Sequence, residues 1–410
     1  MTTATVTAEQ PAKTSVKAVV QEWLRHPLLS YYLVIAVGVM LACLGLLMVV
    51  SSSSVSAAVG YDDPYYYGKH QLFAAGIGLV GGVILSLVSD RFLEKMSWLF
   101  LALAIGLIIL TFTPLGLDIG GNRNWLSLGP VLPQVQPSEF AKVALVVWGA
   151  SDLSRRGQKL QDLRQWIIFL IGSFFIVGLV VLQKDLGTAV IIAAMVVVVM
   201  VAAGAPWRLL ATVGALGLAA VSVLVIFQPN RMGRIGAFLN PGADPLGYDL
   251  QADHGLFALA SGGWFGQGLG ASRQKWGLLS EAHTDFIFAI IGEELGLIGT
   301  LTVIILFAAL AYAGIRIALR TPSTFTRLAA IGVVAWFTIQ AFVNIAVAVR
   351  AIPVMGVTLP MLSYGGSSLM ANIFALGILA GCARREPGAQ AVLAARKRKG
   401  QTRSFVRAAR

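Results

Sequence analysis

About ten stretches of this 410-residue chain are apolar for long enough to cross a hydrocarbon layer roughly 30 Å thick. They lie near 29–53, 70–89, 96–114, 137–153, 166–184, 187–205, 208–228, 285–313, 327–349 and 366–383. Backbone polar groups in lipid must be satisfied within the chain itself, and with connections this short only helices do that. The sequence therefore predicts an all-α, polytopic membrane domain over 28–383, between tails 1–27 and 384–410. Composition agrees, with 57% hydrophobic and only 12% charged residues, and leaves no room for a soluble domain.

Orientation follows from the short connections. Lys13, Lys17 and Arg25 precede the first span; Arg91 and Lys95 follow the second; Arg155, Arg156, Lys159 and Arg164 follow the fourth. Arg208 follows the sixth, and Arg316, Arg320 and Arg327 follow the eighth. All fall on one side, so the positive-inside rule places both termini in the cytoplasm and the longest connection, 228–284, outside. The segment 384–410 carries nine Lys/Arg against one Glu, eight of the net +12 charges, and reads as a disordered tail for a membrane surface or a partner. This distribution explains the basicity better than nucleic-acid binding does. Cys43 and Cys382 lie at depths that argue against a disulfide. His26, His70, His254 and His283 lack zinc-ligand spacing. The first span is too long, and too poor in small residues at a cleavage point, for a removed signal peptide.

Charges where lipid would prefer none are the candidate functional residues. Asp285, in Glu281-Ala282-His283-Thr284-Asp285-Phe286, stands where the eighth span leaves the outer surface, and Glu293 and Glu294 follow deeper in the same span. Glu139 and Lys142 are three residues apart and share one helix face inside the fourth span. Asp185, at the sharp outer turn between the fifth and sixth spans, is a second candidate counter-charge for Lys142. In the outer connection between the third and fourth spans, Arg123 and Trp125 follow a glycine turn, where guanidinium suits a phosphate and indole an isoprenoid or headgroup; an interfacial anchor is the plainer reading. The long outer loop adds Arg231, Arg234, Arg273 and Lys275, cations that suit a diphosphate or are merely solvated. Its glycine-rich stretch 261–270 lacks the Lys-Ser/Thr ending of a nucleotide P-loop.

Several ordered motifs carry a resemblance: Gly120-Gly121-Asn122-Arg123-Asn124-Trp125, Gln136 to Lys142, Asp185 to Ala189, Phe238-Leu239-Asn240-Pro241, Glu281 to Phe288, Ile291 to Gly296 and Leu359 to Ser368. Together, over roughly 30–383, they resemble the SEDS proteins of shape, elongation, division and sporulation, the division type more than the elongation type. The resemblance implies a peptidoglycan glycosyltransferase that polymerises lipid II on the outer face of the bacterial cytoplasmic membrane, at the septum, with Asp285 as its essential carboxylate and general base. Arg123, Arg231, Arg234 and Lys275 are then candidates to stabilise the departing diphosphate, assisted by a divalent cation such as Mg or Mn. Trp125, Glu139, Lys142, Asp185, His283 and Ser367 are further candidate substrate contacts. Implied partners are lipid II, a class B penicillin-binding transpeptidase and other divisome membrane proteins. Two positions depart from the pattern: Lys184 replaces a common proline, and Arg350 replaces a small or polar residue. A lipid II flippase, for which Glu293, Glu294, Lys142 and Asp185 would line a path, and a scaffold without chemistry are the competing classes.

Overall fold

The computed structural model describes residues 26–119, 121–127, 129, 134–240 and 248–395. Lys13, Lys17 and Arg25, the basic segment 396–410, Gly120 and Pro241 lie outside them. The chain runs α1 (Leu29–Tyr61), α2 (Tyr66–Leu87), α3 (Asp90–Leu110), a hairpin of β1 (Gly116–Ile119) and β2 (Asn122–Leu126), α4 (Pro137–Arg156), α5 (Ile167–Leu182), α6 (Leu186–Ala202) and α7 (Trp207–Ile226). It continues with α8 (Pro229–Leu239), α9 (Tyr248–Ser261), α10 (Ile287–Arg320), α11 (Thr324–Ala348) and α12 (Gly366–Arg384). Each predicted span thus has its helix. Eight of these are long and apolar enough to cross a membrane by length and composition. The other two are α6, with 17 residues, and α4, whose Glu139, Lys142, Asp152, Arg155 and Arg156 lower its hydropathy.

The core explains why α4 tolerates its charges. It packs against α3, α11 and α12, and α11 packs against α6 and α10. Trp148, Trp166, Trp336, Phe325 and Phe337 are fully buried in this centre. In contrast α7 is peripheral, with 6% of its apolar window buried, and Leu216, Leu218 and Val223 are exposed, as a lipid-facing helix requires. The two faces of the bundle are pinned separately. At one end Arg155 donates to the Glu94 carbonyl (2.7 Å), Thr326 to Asp90 (2.8 Å) and Arg316 to the His26 carbonyl (3.0 Å). Asp90 also pairs with Arg385 at 2.7 Å. At the other, Gln71 donates to the Ser363 carbonyl (3.1 Å) and the Arg123 amide to the Gln183 carbonyl (3.1 Å). This partition is the one the charge asymmetry predicts.

Three expectations change. Arg316 is not in a loop: α10 extends to Arg320, and Arg316 is buried within it at 6% exposure. The region after 384 is not wholly a loose tail, because 387–395 is helical, Glu386 is buried and Gly388 packs on Pro27. The connection 228–284 is not simply an outer loop. Gly296 breaks α10 with φ 68° and ψ −163°, nine residues past Ile287, about 14 Å down a helix rising about 1.5 Å per residue. The backbone groups around the break are taken by the glycine-rich segment. Leu297 donates its amide to the Gly263 carbonyl (2.9 Å), Gln267 to the Glu293 carbonyl (2.9 Å) and Gly268 to the Glu294 carbonyl (3.1 Å). Segment 262–270 therefore re-enters beside α10, where irregular backbone is tolerated because protein satisfies it.

Candidate active site

Asp285 ends a short loop at the outer mouth of the bundle, and each neighbouring backbone group is held from another element. The Asn344 side-chain amide, from the last turns of α11, donates to the carbonyls of Asp285 (2.8 Å) and Val357 (2.7 Å). Ser363 donates its hydroxyl to the Thr284 carbonyl (2.6 Å) and accepts from the Leu359 amide (2.8 Å). The Tyr364 amide donates to the His283 carbonyl (2.9 Å). Thr284 donates its hydroxyl to the Glu281 carboxylate (2.6 Å), and Glu281 adopts a left-handed φ of 57°. Loop 281–286 is thus fixed against 357–364, with the Asp285 carboxylate beside Gly356.

The electrostatics suit a proton acceptor. Burial pushes the Asp285 carboxyl up to about 7; Glu281 and Asp185 push the same way, while Arg234 opposes them. Burial also lowers the His283 imidazole, against the pull of Glu281, so the ring is neutral at pH 7. Arg231 and Arg234 belong to this neighbourhood. Burial and Arg234 lower the Arg231 guanidinium, while Asp185 raises it. Arg231 donates to the Lys184 carbonyl (2.6 Å) and Arg234 to the Val354 carbonyl (3.2 Å). Arg123 is exposed above the same corner, its guanidinium on the Thr113 carbonyl at 2.9 Å.

Other sequence candidates are placed elsewhere or differently. Lys275 is not an outer cation. It is 6% exposed, pairs with Glu294 (3.3 Å) and donates to the carbonyls of Gly270 (2.7 Å) and Ser51 (3.2 Å). Glu293 accepts from the Ser272 hydroxyl (2.5 Å) and Arg273 amide (2.8 Å), and Glu294 from Ser51 (2.6 Å). These acids anchor the re-entrant segment and do not line a transport path. Lys142 takes Glu139 (2.7 Å) and the Gln340 side chain (2.9 Å), over the Trp336 ring at 4.7 Å. Asp185 instead caps α6 through the Thr188 amide (3.0 Å) and accepts from Asn124 (2.9 Å) and Gln136 (3.1 Å). Ser367 is 1% exposed and accepts from the Gln136 amide (2.9 Å), tying α12 to the entry of α4. Trp125 is half-buried on β2 opposite Leu117. Arg350 pairs with Asp253 of α9. Lys184 has φ 64°, which a proline ring excludes, so this corner differs in backbone from one built with proline.

Asn344, Ser363 and Tyr364 were not singled out from sequence. Asn344 had a signal, a lone amide in the apolar run Phe342 to Val349, because a buried polar side chain there requires partners.

A family model for the FtsW, RodA and SpoVE cell cycle proteins matches residues 31–387. The chain belongs to this family. Stage V sporulation protein E of Bacillus subtilis (strain 168) is 38% identical over 354 residues, 86% of this chain and 96% of that protein. A probable peptidoglycan glycosyltransferase FtsW of Mycobacterium tuberculosis is 38% identical over 379 residues, 91% of this chain and 71% of the relative. Among solved structures, one on the structural coordination of polymerization and crosslinking by a peptidoglycan synthase complex superposes with TM-score 0.69 at 29% identity, covering 86% of this chain and 97% of that one. A crystal structure of Thermus thermophilus RodA superposes with TM-score 0.64 at 29% identity over the same shares. The FtsW/RodA/SpoVE chain is therefore a multi-pass membrane protein with the fold of its solved relatives.

Proposed function

We propose that this family member is an inverting peptidoglycan glycosyltransferase that polymerises lipid II at the outer membrane face during division, with Asp285 as general base. The observation that carries the reading is a carboxyl at the outer mouth whose loop is fixed by Asn344, Ser363 and the Tyr364 amide, in a site whose burial pushes it up to about 7 against the pull of Arg234. A base with this affinity accepts a proton from a sugar hydroxyl in the transition state and releases it afterwards. The acceptor hydroxyl oxygen attacks the donor anomeric carbon from the face opposite the diphosphate, and its proton passes to the Asp285 carboxylate. The anomeric C–O bond to the diphosphate breaks, its electrons leave with undecaprenyl diphosphate, and the α linkage becomes β. Arg231, Arg234 and Arg123 are the cations on this face that would meet the developing negative charge. Among the described residues no three His, Cys, Asp or Glu converge as a metal-holding group, so a Mg or Mn ion would draw ligands from the substrate diphosphate. The names of the FtsW relatives support the reaction class.

Purified protein supplied with lipid II should make glycan strands, and Asp285→Asn should make none above background at equal expression, because it removes the acceptor while preserving size. More than a few per cent residual activity would remove Asp285 as the base. A class B penicillin-binding transpeptidase is the proposed partner, supported by the likeness to a synthase complex that joins polymerisation to crosslinking. Its activation would be visible as faster polymerisation with a partner whose transpeptidase serine is inactivated. Equal rates at matched lipid II and detergent would remove the activation model alone.

A further inference from the structure

The outer turn between α1 and α2 carries aromatic rings that the reaction as described does not use. Tyr61 stacks on Tyr66 with centroids 3.8 Å apart and planes 4° apart. Tyr67 meets Tyr61 edge-on at 5.7 Å and Tyr66 at 5.4 Å. From Tyr67 the path continues to His283 (4.7 Å) and Tyr364 (4.8 Å). His283 is two residues from Asp285, and both it and Tyr364 belong to the clamp that fixes the Asp285 loop. Tyr61 is 50% exposed and Tyr65 60% exposed, so the outer end of the path is open. An interfacial aromatic belt accounts for tyrosines at the headgroup level but not for a run that turns inward to the Asp285 loop. These rings touch in series and lead from the surface to the catalytic loop.

We propose that this ring path is a saccharide subsite, on which the amino-sugar strand next to the reacting residue lies with the C–H faces of its pyranoses against the tyrosine rings. Resting on the glycosyltransferase reading, the proposal deepens it by assigning where the polymer lies. A pyranose is amphipathic, apolar on its ring faces and polar at its rim. Exposed tyrosines supply flat apolar faces at low conformational cost, together with phenol hydroxyls for the rim. An acyl chain would gain nothing from those hydroxyls.

The test compares the full chain with Tyr61→Leu, Tyr66→Leu and the double variant, which keep bulk but lose the flat faces. Tyr61→Phe serves as the conservative variant, and Tyr312→Leu, an exposed tyrosine on α10, as the control. Two readouts are taken: strand length from lipid II, and saturation-transfer NMR with N-acetylchitotetraose as a soluble β-linked probe. The double variant should give shorter strands and bind the tetraose roughly 3–10-fold more weakly, as expected for losing aromatic contacts. Tyr61→Phe, which keeps the ring face and loses only the rim hydroxyl, should fall between the unmodified chain and Tyr61→Leu, and Tyr312→Leu should match the unmodified chain. Unchanged strand length and tetraose binding in a double variant of normal thermal stability would overturn the subsite. The binding arm needs no turnover, so it tests the subsite even in a preparation that makes no polymer; that silence would count against the glycosyltransferase reading instead.

Discussion

Asp285 couples two measurable quantities through one carboxyl. The proposed base would work only when ionised, so polymerisation should rise with pH to a plateau with its midpoint near the value of about 7 set by burial and Glu281. A pH–rate profile of strand synthesis checks this; a midpoint near 4 would place the carboxyl in water. Stability runs the other way. A carboxyl raised from 3.8 to about 7 on folding stabilises the fold below the unfolded value, and that contribution is lost as pH climbs through the folded one. Asp285→Asn cannot ionise, so its melting temperature relative to the unmodified chain should grow between about pH 4 and 7 and then level off. Lys142 poses the opposite case. Lys142→Ala leaves the Glu139 carboxylate buried without its counter-charge and should cost about 3–5 kcal/mol, whereas exposed Arg327→Ala should stay within about 0.5 kcal/mol. Thermal unfolding in detergent separates the two, and equal losses would contradict a buried pair. At this scale Asp285 stood out in the sequence as a candidate because a carboxylate at the end of an apolar run has no stability rationale, and its proposed role as base awaits the pH profile. The role of Lys275 was not, because nothing in its spacing shows that it folds back onto Glu294, nineteen residues later.

The elements that matter most are those without a periodic signature. Spans were readable from apolar length alone, but α1 runs eight residues beyond its predicted end to Tyr61, since small serines and alanines continue the helix past the strongly apolar stretch. The β1–β2 hairpin, with strands of four and five residues, was too short to register above its glycine turn. The re-entrant segment was seen only as glycine density. Its reason is steric: a Cβ on Gly296 would lie 2.4 Å from the Gly266 nitrogen, and one on Gly266 2.1 Å from the Glu294 carbonyl oxygen. Both glycines also have positive φ, 68° and 80°. Gly266→Val should therefore unseat the segment from the break in α10, exposing backbone groups to lipid at several kcal/mol. Limited proteolysis within 262–275 reads the outcome, and an unchanged cleavage pattern would show that the segment does not depend on this approach.

Across the whole molecule the two faces of the bundle carry different work. The proposed chemistry lies outside, around Asp285, while the cytoplasmic face holds a separate polar junction that joins the start of α1 to the segment just after α12. There Arg316 donates to the carbonyl of His26, just ahead of α1, and Glu386, just after α12, lies 2% exposed and acts on Arg316 electrostatically. Burial raises the Glu386 carboxyl, with Ser30 and Arg316 opposing that rise, so three elements share one buried cluster. Two truncations consequently differ. Ending the chain at residue 395 removes only 396–410, which carries seven Lys/Arg and lies across the bilayer from Asp285 by the positive-inside rule; lipid II polymerisation and melting temperature should both be unchanged. Ending it at 385 also removes Glu386 and the helix 387–395 that rests on Pro27, leaving Arg316 buried with less compensation. That loss should be on the order of 3 kcal/mol, the scale of a buried ionic group deprived of its partner. Scanning fluorimetry of the two truncated proteins in one detergent is the comparison. Equal melting temperatures would show that the cytoplasmic junction contributes nothing to holding the start of α1 to the segment after α12.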